Sequence, residues 1–150
     1  MKKRVFALVA LLMFTLCSSC LAANWVWVHS NDKIGYYFDA DSIKVFETEG
    51  KPETRRIMVW TKLVFDEAFA QEKCIINGEV MHEQKSKVTF FRPTMTYTEQ
   101  AVYCYDKKGT VLSSSPNVNR KYDIVPDSSG DKLSLAVEKY AVEHNIKPQK

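Results

Sequence analysis

Runs of β-branched and aromatic residues separated by short polar turns occupy most of this chain, and they predict strands. Trp25-Val26-Trp27-Val28 and Ile34 to Phe38 flank Ser30-Asn31-Asp32-Lys33, whose side chains favour turns, so the two runs predict a hairpin. Asp39-Ala40-Asp41-Ser42-Ile43 offers side-chain oxygens to its own backbone and predicts a short helical turn ahead of Gly50-Lys51-Pro52. Arg55 to Asp66 is the longest strand candidate, with Ile57, Val59, Leu63 and Phe65 on one face and Met58, Trp60 and Val64 on the other. Asp66 to Lys73 predicts a helical turn. Asn77-Gly78, between Ile75-Ile76 and Glu79-Val80, carries the signature of a two-residue hairpin loop. Further strands are expected over Val88 to Phe91 and Ala101 to Tyr105, separated by Arg92-Pro93-Thr94. Another comes over Thr110 to Ser113, after the turn at Asp106-Lys107-Lys108-Gly109, and Ser114 to Asn119 reads as a polar loop. After Pro126 to Asp131 comes the one convincing helix. There Leu133, Ala136, Val137, Tyr140 and Ala141 recur at helical spacing, with Glu138, Lys139 and Glu143 opposite.

These elements predict an α+β fold: an antiparallel, strongly twisted or half-barrel sheet of about six strands, meander-like, with one C-terminal helix packed on it. One helix covers one face of such a sheet. Several strands are nevertheless apolar on both: Trp25 and Trp27 oppose Val26 and Val28, and Val102 and Cys104 oppose Ala101, Tyr103 and Tyr105. The sheet can curl on itself, pair with a second copy, or leave an aromatic patch open for a partner. Curling together with a homodimer is the expectation here.

Composition changes the picture at the N-terminus. The 150 residues are 45% apolar and 26% charged, with a formal charge of +3, which describes an ordinary compact domain. However, Lys2, Lys3 and Arg4 stand directly before the apolar run Val5 to Leu16, and Cys17-Ser18-Ser19-Cys20-Leu21-Ala22-Ala23 supplies small residues for cleavage. Residues 1–22 therefore read as an export signal, leaving a single domain over 23–150. Two alternatives stand beside cleavage. One is a retained anchor, although the apolar run is shorter than the roughly 20 residues a bilayer needs. The other is acylation of Cys20 as a lipoprotein. Losing the signal removes three positive charges, so 21 − 3 = 18 basic residues face 18 acidic ones and the exported chain is neutral. Neutrality argues against nucleic acid as a partner and against a polybasic membrane-binding role. The protein is expected in the periplasm, secreted, or at the cell surface.

Export also leaves Cys74 and Cys104 as the remaining cysteines. In an oxidising compartment two cysteines most simply pair, and closing that loop of about 30 residues is worth roughly 3.5 kcal/mol in the chain-entropy model. Two buried, unpaired thiols are the other possibility.

Candidate chemistry is sparse. His29, His82 and His144 are far apart without ligand partners at metal-site spacing, so no metal site is expected. Asp39 and Asp41 read as turn caps rather than an acid–base pair. No glycine-rich phosphate loop or nucleophile elbow is present in the sequence. We expect no catalytic residue, no cofactor and no enzyme. The pairs Arg55-Arg56, Lys85-x-Lys87, Lys107-Lys108 and Arg120-Lys121 read as solvated edges or, alternatively, as contacts for a sulfated polysaccharide or an acidic protein. Trp25, Trp27, Tyr36 and Trp60, with Tyr37 beside them, form a candidate binding face, because Trp and Tyr dominate interface hot spots.

Several motifs together resemble a family. Trp25-Val26-Trp27-Val28, Tyr36-Tyr37-Phe38-Asp39-x-x-Ser42-Ile43 and Val59-Trp60-Thr61-Lys62 come after a signal-like segment in the order of the surface-adhesin protein E family. Tyr105-Asp106-Lys107-Lys108-Gly109-Thr110-Val111-Leu112, and Ile124-Val125-Pro126-Asp127-Ser128 ahead of the last helix, agree with it. The resemblance implies a small antiparallel sheet with a packed helix, exported by bacteria and able to dimerise. It also implies kinship with an outer-membrane lipoprotein that binds host matrix and serum proteins such as vitronectin and laminin. A departure is Cys17, three positions before Cys20, where a lipoprotein signal carries a branched aliphatic residue. Two function classes result. The first is a non-enzymatic binding module for a protein or polysaccharide. The second is a periplasmic envelope protein, small-ligand carrier or enzyme with a pocket in the curled sheet.

Overall fold

The computed structural model describes residues 23–149; the segment 1–22 read above as an export signal, and Cys20 as its alternative acylation site, lie outside the described residues. The chain enters as β1 (Trp25–Ser30) and returns as β2 (Ile34–Asp39), an antiparallel hairpin. Asn31 closes it: its side-chain oxygen accepts the Lys33 and Ile34 backbone N–H groups at 2.9 and 2.8 Å. Asp39 caps the 3₁₀ turn Ala40–Ser42 as its spacing predicts, accepting the Asp41 N–H. Next come β3 (Lys44–Thr48), the 15-residue β4 (Lys51–Phe65) and α1 (Glu67–Lys73), which is capped by Asp66. A separate ribbon of β5 (Ile75–Ile76) and β6 (Glu79–Val80) turns on Asn77 and Gly78, both at positive φ (52° and 84°). The chain then runs through β7 (Glu83–Phe91), β8 (Thr96–Tyr105), β9 (Val111–Ser115), β10 (Arg120–Asp123) and α2 (Ser129–Glu143).

The main sheet is antiparallel and open, with eight strands in the path β1-β2-β4-β7-β8-β10; β3 pairs with β4 and β9 with β8. It is not closed into a barrel. The expected α+β fold, an antiparallel sheet with a C-terminal helix packed on it, is what the structure shows. Two strands join beyond the expected six or so, for a geometric reason. Strands β4 and β8 are long enough to hold two short neighbours end to end along one edge. Along β4, residues 61–65 pair with β2 and residues 51–58 with β3. Ser42 spans the gap between them: its Oγ accepts the Trp60 N–H at 2.8 Å and donates to the Asp39 carbonyl at 2.8 Å. Along β8, β10 covers residues 96–99 and β9 residues 102–105. The short strands β3 and β10 carry little alternation of their own and exist because a partner edge holds them.

Helix α2 begins at the Ser128 cap, whose Oγ accepts the Asp131 N–H. Leu133, Val137 and Ala141 of α2 lie buried on the face made by Phe38, Ile57, Val59, Val88 and Phe90. Two polar ties fix the helix. Arg92 Nη1 donates to Asp131 Oδ1 at 2.7 Å and to the buried Ser134 Oγ at 2.6 Å. Arg55 reaches both Glu138 (2.7 Å) and Glu47 (2.9 Å).

The anticipated Cys74–Cys104 disulfide is not formed: both are buried free thiols. The chain places one sulfur at the C-cap of α1 and the other near the C-terminal end of β8, too far apart to bond. Burial raises both thiols above their ordinary value, with the Glu99 charge adding to the rise at Cys104. No helix among the described residues is long and apolar enough to cross a membrane.

Candidate binding face

Because α2 covers one side of the sheet, the other side is the place to look for function. Strand alternation and register write its composition row by row. Trp27, Tyr37, Lys62, Lys85 and Tyr103 align across five strand segments. The next row holds Trp60, Lys87 and Ala101. Further along, Lys44, Met58, Thr89, Thr98 and Lys121 align from β3 to β10.

A β-bulge decides which aromatics join. Between the pairs Val88↔Glu99 and Lys87↔Ala101, β8 carries one extra residue, Gln100. The extra residue reverses the parity of β8, so Thr96 and Thr98 before it share the open face with Tyr103 and Tyr105 after it. With no bulge the two tyrosines would point under α2.

The aromatic end of the face is a cation–aromatic cluster. Lys62 Nζ lies 4.6 Å from the Trp25 ring centroid and 4.9 Å from that of Tyr37. Lys85 Nζ lies 4.5 Å from Tyr105 and 5.9 Å from Trp25. Trp60 and Tyr103 rings pack at 5.9 Å. Glu83 supplies the countercharge, 2.9 Å from Lys85 and 4.0 Å from Lys62. Burial lowers the Lys62 ammonium below its ordinary value, and neighbouring Lys85 adds to the drop while Glu83 opposes it. Trp25, Trp60, Lys85, Tyr103 and Tyr105 line a hollow of about 380 Å³. The other end of the same face is a groove of about 780 Å³ among Thr54, Arg56, Thr89, Thr98, Gln100 and Lys121.

The residues singled out in the sequence separate accordingly. Trp25 and Trp60 come together with Tyr37. Trp27 stands in the Tyr37 row on the edge strand β1, 59% exposed. Tyr36 does not join: as the strand neighbour of Tyr37 it points to the opposite side, where it stacks on His29 at 4.5 Å. There it walls a cleft of about 320 Å³ between the sheet and the start of α2. In that cleft Gln84 Nε2 donates to Ser86 Oγ (3.1 Å), which donates to Glu99 Oε1 (2.9 Å). Burial, with Glu99 adding to it, raises the Tyr97 hydroxyl at its edge. Sequence reasoning missed Lys62, Tyr103 and Tyr105; the i, i+2 spacing of the two tyrosines, like that of Lys85 and Lys87, is the signal that could have found them. The three histidines stay dispersed: His82 lies 3.8 Å from Glu67, and His144 stacks on Tyr140. Among the described residues no three His, Cys, Asp or Glu side chains group as metal ligands.

The sequence matches no family model and no curated protein. Solved structures do match. Crystal form II of Haemophilus influenzae protein E is similar with a TM-score of 0.53 at 13% identity, over 83% of this chain and 92% of that one. Another structure of Haemophilus influenzae protein E gives 0.49 at 16% identity, over 86% and 92%. Protein E from a non-typeable strain gives 0.48 at 12% identity, over 87% and 85%. The first of these shows that the likeness read from the sequence motifs is a likeness of fold.

Proposed function

We propose that this chain, built on the fold of protein E, is an exported, non-enzymatic binding protein that engages a macromolecule, protein or polysaccharide, through the open face of its sheet. The observation that carries the reading is the cluster of Trp25, Trp60, Tyr103 and Tyr105 around Lys62 and Lys85 on the side that α2 leaves uncovered. Trp and Tyr rings are the side chains most enriched at interface hot spots, and the two lysines add charge selectivity beside them. The N-terminal charge and apolar run support export, and an adhesin-like role at the cell surface is the form of the reading that the family resemblance favours. A second copy of the chain is the rival occupant of the same face.

The test is a panel of host matrix proteins, serum proteins and glycans probed with the purified full chain and with two variants. Trp60→Ala with Tyr103→Ala alters the open face; Leu135→Ala with Val142→Ala alters the exposed side of α2, where these residues are 47% and 61% exposed. Binding lost with the first pair and kept with the second is the expected result. Equal loss in both, or no ligand for the wild type, overturns the proposal. Dimer formation that the first pair abolishes assigns the face to self-association instead.

A carrier of a small ligand is the second reading, and the cleft beneath the start of α2 favours it, with Glu99 and Ser86 among apolar and aromatic walls. A small-molecule library that raises the melting temperature of the wild type but not of Glu99→Gln supports this reading; no hit removes it.

A further inference from the structure

Resting on the open-face reading, we infer that the macromolecule is an anionic polysaccharide, a chain of sugar rings bearing sulfate or carboxylate groups. The exported chain is neutral overall, but its charges are segregated. By register the open face carries Lys44, Arg56, Lys62, Lys85, Lys87 and Lys121. The acids on this face are Asp39, Glu83 and Asp123. Two of these are occupied: Asp39 accepts the Asn24 and Asp41 N–H groups, and Glu83 pairs with Lys85 and Lys62. Lys44, Arg56, Lys87 and Lys121 have no ion-pair partner among the described residues. The basic pairs scattered along the sequence are thus sorted by the fold. Arg55 turns to Glu47 and Glu138 against the helix, while Arg56 faces out on the open side.

The groove between these cations suits sugars. Its walls carry the hydroxyls of Thr54, Thr89 and Thr98 and the amide of Asn119, and no carboxylate lines it. Gln100, placed there by the bulge, also lines the groove, and its Oε1 is buried without a hydrogen-bond partner. From Lys44 to Lys121 the row crosses four strand spacings, roughly 19 Å, which is the length of several linked rings rather than of one small ion. At the far end, the Trp60 and Tyr103 rings present flat apolar surfaces of the kind that accept the C–H face of a pyranose. An acidic protein or a single-stranded nucleic acid shares the charge requirement. The hydroxyl-lined groove running into aromatic platforms favours the glycan.

Heparin serves as the probe, with dextran, polyglutamate and oligo-dT as comparison polymers, and binding is measured against salt. We expect heparin to bind, dextran not to, and the heparin affinity to fall on the order of 100-fold between about 50 and 200 mM salt, as for about four ionic contacts. Arg56→Gln with Lys121→Gln, both exposed positions, lowers the affinity about tenfold or more at low salt, and Trp60→Ala lowers it independently of salt. Lys132→Gln with Lys139→Gln on α2 leaves it unchanged. The inference fails if the helix pair matters as much as the face pair, or if polyglutamate or oligo-dT binds as tightly as heparin. It also fails, with the open-face reading intact, if the panel yields a protein ligand lost with Trp60→Ala while no anionic glycan binds. If no macromolecule binds, both fail.

Discussion

Replacing Ser42 by alanine tests how the sheet carries two strands on one edge. The Ser42 hydroxyl accepts the Trp60 N–H where neither β2 nor β3 reaches β4, and donates to the Asp39 carbonyl. Alanine removes both bonds and leaves the Trp60 N–H without its partner. An unpaired buried N–H costs about 1–3 kcal/mol, and because Ser42 is only half-buried, water relieves part of that; about 1.5 kcal/mol is expected. For a domain of this size an m-value of about 1.5 kcal/mol per M in urea is ordinary, so the unfolding midpoint falls by about 1 M. Trp60 lies at this junction, so its fluorescence reports the transition. Ser42→Thr keeps the hydroxyl and restores most of the midpoint. An unchanged midpoint in Ser42→Ala, at unchanged m, refutes the bridge and with it the account of the split edge.

Three other outcomes are expected from the same structure. Val137 is fully buried between α2 and the sheet, so Val137→Ala removes about 2 kcal/mol, read as a melting point lower by about 6–10 °C. Its control, Leu135→Ala on the exposed side of α2, stays within about 0.5 kcal/mol of wild type. On the chain from residue 23, alkylation and intact-mass measurement find two free thiols, Cys74 and Cys104, after denaturation and none labelled in the native state; a mass short by two hydrogens means a disulfide. The Arg92 guanidinium and the Asp127 N–H hold the Asp131 carboxyl below its ordinary value. Its contribution to stability is complete above the ordinary carboxylate range and is lost as pH falls through that range toward the lowered value. Asp131→Asn therefore flattens the acid limb of a stability–pH curve, and an unchanged limb rules this out.

The turns, caps and helix were legible because each is decided within a few residues. Asn77-Gly78 takes its positive φ values, Asp39 and Asp66 cap the helical turns that begin beside them, and the spacing of Leu133, Val137 and Ala141 marks the buried stripe of α2. Strands β3 and β10 were not legible. KVFET and RKYD become strands through hydrogen bonds to distant edges that no local pattern encodes. The cysteine pairing failed for a related reason: compartment and count say that two thiols are available, but only the path of the chain says whether the sulfurs meet.

The candidate site divides in the same way. By itself the sequence determined that several strands are apolar on both faces and that one helix can cover only one face of the sheet. That results from the period of two in strands and of 3.6 in helices, which are properties of the backbone alone. Tertiary structure decided which face the helix takes, and through the Gln100 bulge it turned Tyr103 and Tyr105 toward Trp60 rather than beneath α2. Register between strands far apart in the chain then gathered Lys44, Arg56, Lys62, Lys85, Lys87 and Lys121 on one surface. Sequence spacing counts residues along one strand, whereas a binding face is made by the alignment of several, and that alignment exists only once the sheet has formed.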